Sequence, residues 1–315
     1  MRVRILMLLS LIMSLTVVSS SSQPVYFLDL EPGTYLVYNL TGVYNGLKRY
    51  EVVGKTEVDG RRCTLVKSFL YVKTENRLFR EGASLNSTFC YDDRGRPILE
   101  EVFVPEQLNF SVREVRTEYW WDGWEVTKAL IRIEYEVNGT VIKEYEVDSR
   151  RMVVKYEGRE YPFSWENLTS VLPYTPSALM EPHIDLSMDF KLGMKKFISM
   201  GGDNATVEVV AVDEVQTPVG TFLCYRLVIK GFDRGIPYES TVFITKERPR
   251  ITVFYVTESE GIKQSGFLMD TNLKRDEVNL YYGALIMLVV LGSIIGYKFV
   301  TSLKEEKKGE GQPSD

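Results

Sequence analysis

The stretch that decides the fold is Leu130-Ile131-Arg132-Ile133-Glu134-Tyr135-Glu136-Val137-Asn138-Gly139-Thr140-Val141-Ile142-Lys143-Glu144-Tyr145-Glu146-Val147. Ile131, Ile133, Tyr135 and Val137 alternate with charged residues, and Val141, Tyr145 and Val147 follow beyond Asn138-Gly139. A period of two sends alternate side chains to opposite faces, so one face is buried and the other wet. Asn-Gly tolerates the positive φ that a two-residue hairpin turn requires. The stretch reads as an antiparallel hairpin.

Outward from it the signature recurs. Asn45-Gly46, Asp59-Gly60, Arg94-Gly95, Asp122-Gly123, Glu157-Gly158, Arg234-Gly235 and Glu260-Gly261 punctuate strand-like runs between Tyr35 and Met269. The fold class expected is mainly β: an antiparallel curved sheet, half-barrel or sandwich. Ser164 to Val171 interrupts it as a short helical stretch with Ser164 as N-cap, and Pro173, Pro176 and Pro182 forbid a longer helix. The expected domains are a first β portion over 23–163, a helical, proline-rich connector over 164–183 and a second β portion over 184–270. A faint repeat links the portions. Gly46-Leu47-Lys48-Arg49-Tyr50 resembles Gly193-Met194-Lys195-Lys196-Phe197, and Glu51-Val52-Val53 echoes Glu208-Val209-Val210. A glycine and then a cysteine follow each copy, Gly60 with Cys63 and Gly220 with Cys224. Convergence on valine–glutamate alternation and duplication both account for it; duplication implies two similar sheet units facing or flanking each other.

The two ends differ in kind from the middle. Arg2 and Arg4 precede an apolar or small-residue run from Ile5 to Val18, then serines, the pattern of a secretory signal over 1–22. Leu280 to Tyr297 carries no charge, and the apolar character runs on to Val300. A helix over 280–300 reaches about 31 Å, enough to cross the hydrocarbon core. Lys298, Lys304, Lys307 and Lys308 follow it, against Lys274 and Arg275 before it, which favours a cytoplasmic C-terminus. Residues 271–279 form a juxtamembrane link, and 301–315 a charged tail of disordered composition. The expected localisation is the cell membrane, crossed once, with the large domain outside.

Six Asn-x-Ser/Thr sequons begin at Asn39, Asn86, Asn109, Asn138, Asn167 and Asn204, all between the apolar segments. Chance gives about one or two, so the excess fits N-glycosylation at an archaeal or eukaryotic surface. Abundant Glu and Lys, scarce Gln and a single His match the composition of hyperthermophile proteins. A formal net charge of −5 makes nucleic acid and anionic lipid headgroups poor partners.

Val215-Gln216-Thr217-Pro218-Val219-Gly220-Thr221-Phe222-Leu223-Cys224-Tyr225-Arg226 resembles the Thr-Pro-Ala-Gly-Thr-Phe turn of an uncharacterised family of exported proteins, known only as a domain of unknown function. The likeness spans Val207 to Leu268; Val219 stands in place of the alanine, and an insertion near Ser199 to Asn204 departs from the pattern. That family resembles in turn the half-barrel carriers of lipoproteins and apolar ligands. The resemblance implies a curved antiparallel sheet and carries no catalytic residue. Pro218 presets φ, Gly220 permits a positive one, and Phe222 then points to one face of the next strand.

Little in the chain suggests catalysis. His183 is the lone imidazole; with Asp185 and Asp189 it makes at most a weak metal cluster, and the alternating Ile184, Leu186 and Met188 favour a plain strand. No nucleophile triad, phosphate loop or zinc spacing occurs. Asp92, Asp93, Glu100 and Glu101 read as solvated loop and strand-edge charges, though a glycosidase-like carboxylate pair leaves no local trace. No catalytic residue, cofactor or metal is expected. Three cysteines outside the reducing compartment suggest one disulfide, Cys63 with Cys90 first and Cys63 with Cys224 second. Trp120, Trp121 and Trp124 around Asp122-Gly123 form either a contact platform or a hairpin tip clamped by Trp121 against Trp124. The functional expectation is a non-enzymatic, membrane-anchored extracytoplasmic binding or interaction module, its partner an apolar ligand or an envelope protein. The alternatives are a structural surface glycoprotein or assembly component, and, third, an envelope hydrolase.

Overall fold

The computed structural model describes residues 30–42, 45–74, 81–104, 112–123, 125–136, 139–164, 168–174, 177–180, 188–200, 203–233, 236–259 and 261–273. The signal segment over 1–22, the apolar segment over 280–300 and the tail over 301–315 lie outside these residues, as does most of the link over 271–279. No helix among the described residues is long and apolar enough to cross a membrane.

The alternation of apolar and polar residues is realised as strands. A first run comprises β1 (Tyr35–Gly42), β2 (Gly46–Val58), β3 (Arg61–Val72), β4 (Ser84–Tyr91), β5 (Pro97–Phe103), β6 (Val112–Asp122), β7 (Glu125–Glu136), β8 (Thr140–Asp148), β9 (Val153–Tyr156) and β10 (Arg159–Pro162). Two single helical turns follow, α1 (Leu168–Val171) and α2 (Ser177–Met180). The second run is β11 (Lys195–Met200), β12 (Asp203–Thr217), β13 (Gly220–Asp233), β14 (Ile236–Thr245), β15 (Thr252–Ser259) and β16 (Ile262–Thr271).

Both runs belong to one antiparallel sheet, ordered β10-β9-β8-β7-β6-β5-β4-β3-β2-β1-β16-β15-β14-β13-β12-β11. The sandwich alternative is therefore set aside. Between neighbours in the chain the pairing is that of a meander; the long-range step is β1 against β16, with Leu40 opposite Gly266 and Asn39 opposite Phe267. The order leaves β10 and β11 as edges, so the sheet is unclosed. It is also curled. β12 approaches β15 and β16, three and four strands away, to within 8 Å between Cα atoms. Flat strands spaced by about 4.8 Å would leave them at least 14 Å apart.

Bulges supply part of that curl, because an extra residue bends its strand and increases the local twist. In the β2–β3 hairpin the register shifts between Val52 and Gly54, leaving Val53 as the extra residue. In β12–β13 it shifts between Val209 and Ala211, leaving Val210. Past the bulges, Thr56 faces Cys63 and Asp213 faces Cys224. The faint sequence repeat thus matches two hairpins with the same defect at the same place, within a single sheet.

Turn chemistry follows the sequence at Asp59-Gly60 and Glu157-Gly158, where both residues take positive φ (48° and 75°; 47° and 75°) and join adjoining strands directly. Asn45-Gly46 behaves differently. The Asn45 side chain accepts a hydrogen bond from the Gly42 amide, and Gly46 opens β2 opposite Val72, where a Cβ would lie 2.0 Å from the Tyr71 carbonyl oxygen. That glycine serves a close approach between strands.

Candidate functional site

Among the described residues, the chain's own side chains cover much of the inner face. Val115, Tyr119, Ile131, Ile133, Tyr145, Val147 and Val154 project from β6 to β9, and Leu168, Leu172, Tyr174, Ala178 and Leu179 of the connector bury against them. The connector was expected to separate two portions; it plugs one of them. Its first turn begins at Leu168, and the second turn, at Ser177–Met180, was not anticipated. Across β1 and the second run Tyr38, Leu40, Leu227, Val242, Ile244, Tyr255 and Leu268 are buried to the same degree. The Tyr38 hydroxyl donates to the Thr252 carbonyl at 2.7 Å, and burial raises its pKa.

One carboxyl group lies inside. Glu100, on β5, is 1% exposed and accepts from the hydroxyls of Tyr119 at 2.5 Å and Tyr174 at 3.1 Å. It was expected among the solvated charges. Adjacent residues of a strand point to opposite faces, so Glu101 faces outward instead and pairs with Arg116 at 2.6 Å. The two carboxylates cannot act as a pair. Asp92 closes the following turn, accepting from the Arg94 and Arg96 amides, while Asp93 is exposed. Asp189 is exposed, His183 and Asp185 lie outside the described residues, and no grouping of metal-ligating residues occurs among the described ones.

The tryptophans divide. Trp120 has Arg61 at 5.1 Å and Lys128 at 5.3 Å from its ring. Trp121 packs on Tyr119, and its ring N–H donates to the Pro97 carbonyl at 2.7 Å. The cross-strand neighbour of Trp121 is Val126, and that of Trp120 is Lys128. The two rings thus sit against different cross-strand neighbours; Trp124, and with it the expected Trp121–Trp124 clamp, lies outside the described residues. A disulfide joins Cys63 to Cys90, with Cα atoms 5.4 Å apart, and Cys224 is a buried thiol.

The outer face carries two kinds of surface. Over β6 to β9 it is charged: Glu146 accepts from Lys128 and Lys155 at 3.0 Å each, and these bonds lower its pKa. Glu114 faces Glu134 across the strands; burial first, then Glu101 and Glu134, raise its pKa. On the inner side of these strands, burial and Tyr156 push Tyr135 up to about 12, and burial raises Tyr145 as well.

From β14 to β5 the outer face carries a band of aromatic and aliphatic side chains among polar ones. Register places Phe243, Phe254, Phe267, Asn39, Leu47 and Tyr71 in one cross-strand row. An adjoining row holds Arg49, Phe69, Asn86 and Phe103. Phe69 and Phe103 are 41% and 40% exposed. They flank a hollow of about 430 Å³ lined also by Arg49, Glu51, Lys67 and Thr88. A second hollow, about 770 Å³, lies nearer the β13–β14 turn among Lys230, Phe232, Glu239, Glu258 and Lys263.

Of the sequon residues, Asn86 is exposed within the first hollow and Asn39 is half-buried between Phe267 and Leu47. Asn204 falls in β12; Asn109, Asn138 and Asn167 lie outside the described residues. Each strand's alternation marks its outward residues, but the apolar band needs the register between strands distant in sequence, and no local signal supplies it.

No family model matches the chain, and no curated protein matches it. Three solved structures are similar at low identity. A protein described as exported, with a YmcC-like fold, from Bacteroides fragilis shares 11% identity over 79% of this chain and 99% of its own, with a TM-score of 0.30. A protein described as a lipoprotein from Parabacteroides distasonis shares 9% over 80% of this chain and 100% of its own, at 0.28. A beta-barrel-like protein of a domain of unknown function from Brucella abortus shares 11% over 77% of this chain and 98% of its own, at 0.34. Likenesses this weak say nothing about function.

Proposed function

We propose that the chain is a membrane-tethered, extracytoplasmic interaction module that works through its outer surface. The carrying observation is the filled interior: the connector occupies the inner face of β6 to β9, and tight packing occupies that of the second run. An apolar ligand would have to displace Leu168, Leu172, Tyr174 and Leu179, each 2% exposed or less. A partner protein or envelope component meets no such cost on the outer face. The Cys63–Cys90 bond supports an oxidising compartment, and the uncharged stretch from Leu280 supports the tether. Glu100 ties the fold together, accepting from one tyrosine of the core and one of the connector. The test is native mass spectrometry of the full chain extracted from its native membrane. A protein partner bound stoichiometrically supports the proposal. Co-purified lipid with the connector exposed to hydrogen exchange would return the carrier alternative to first place.

A further inference from the structure

We infer that the hollow at Asn86 seats an N-linked glycan attached to Asn86 itself, with its first sugars lying over Phe69 and Phe103. Asn86-Ser87-Thr88 is one of the six sequons, and its asparagine is exposed on the outer face. Phe69 and Phe103 are its direct cross-strand neighbours on either side. Two half-exposed phenylalanines on the open sheet face leave apolar area in water, and the chain places between them a residue that can carry a saccharide. The faces of a sugar ring present weakly positive C–H groups, which suit the negative face of an aromatic ring. Its hydroxyls need donors and acceptors at the rim, and Arg49, Glu51, Lys67 and Thr88 line the same hollow. A volume of about 430 Å³ falls within the ~300–1,000 Å³ range of small-molecule sites. Asn39 repeats the arrangement between Phe267 and Leu47, so the apolar band holds a second sequon.

The attachment is a glycosyl transfer from a lipid-phosphate-linked oligosaccharide. The side-chain amide nitrogen of Asn86 bonds to the anomeric carbon and releases one proton to solvent. The bond from that carbon to the phosphate oxygen breaks, and the lipid phosphate leaves with its electron pair. In the folded sheet β4 is hydrogen-bonded to β3 and β5 on both sides of Asn86, so transfer occurs on the emerging chain before these strands pair. The seated sugar then covers the hollow as the sheet forms.

The inference rests on the extracytoplasmic placement proposed above, and glycopeptide mass spectrometry of the full chain from its native host separates the two. A glycan on Asn86 is the expected result. A bare Asn86 beside other occupied sequons overturns the seat and leaves the placement standing; six bare sequons also overturn the seat, and protease access to the sheet domain on intact cells then decides the placement. Seating has its own readout. Thr88→Ala abolishes the sequon while keeping Asn86, and should raise binding of an apolar dye severalfold. Enzymatic deglycosylation of the wild-type protein gives the same readout if that variant fails to fold. The double variant Phe69→Ser, Phe103→Ser should keep the glycan but release it faster to a glycosidase. An occupied Asn86 with unchanged dye binding after deglycosylation and an unchanged release rate in the double variant means that the sugar is attached but unseated, and the inference fails.

Discussion

Glu100 and Glu101 stand side by side in the sequence, yet one is sealed in the interior and the other pairs with Arg116 outside. Removing the Glu100 carboxyl by Glu100→Ala takes an acceptor from two buried tyrosine hydroxyls, and a buried polar group left unsatisfied costs about 1–3 kcal/mol. Urea denaturation should show a loss of about 3 kcal/mol. At the outer face the sign reverses. Glu114 has a raised pKa, so its favourable contribution is fully present below the ordinary glutamate range and is lost as pH rises through the raised value. Taking away the facing charge by Glu134→Gln should stabilise the protein by about 0.3–0.5 kcal/mol at neutral pH, small because solvent screens the pair. Below the titration of Glu114 the gain should vanish. A pH series of denaturation midpoints checks both limbs.

Among the elements, the disulfide and the connector do different work. Cys63 and Cys90 lie 27 residues apart and link β3 to β4, strands that already pair. Closing a loop of that length restricts the unfolded chain, so Cys90→Ser should cost about 2–4 kcal/mol while leaving the strand content of the circular dichroism spectrum unchanged. Strand identity was legible because alternation at Ile131, Ile133, Tyr145 and Val147 is the imprint of one buried face, and all four are buried. Val141 shares the pattern but is 45% exposed, because it sits near the free end of the hairpin, where the core stops. The connector was legible as a break but not as a plug. Proline and helix signals are local, whereas the contacts of Leu172 and Tyr174 are with β5 to β9.

For the whole molecule, topology is the testable matter. If 280–300 crosses the membrane with the lysine-rich tail inside, protease added to intact cells should digest the sheet domain and spare an epitope placed after Thr301. The opposite pattern inverts the orientation, and protection of both ends removes the domain from the surface altogether. The unclosed sheet leaves β10 and β11 as its edges. Their composition guards them: Pro162 cannot donate to a ladder, and Lys195 and Lys196 repel a second strand. The outer face, by contrast, carries the apolar band, so contacts with other molecules are expected there.

What the amino-acid order determined unaided was the strand class, the turn positions at Asp59-Gly60 and Glu157-Gly158, and the apolar segments at both ends, because each depends on neighbours within a few residues. What only the tertiary structure decided was the joining of β1 to β16 across more than two hundred residues, the burial of Glu100 under Tyr174, and the band that surrounds Asn39 and Asn86. Those depend on register and curl, which arise when distant strands meet, and a strand's own alternation is the same whichever partner it finds.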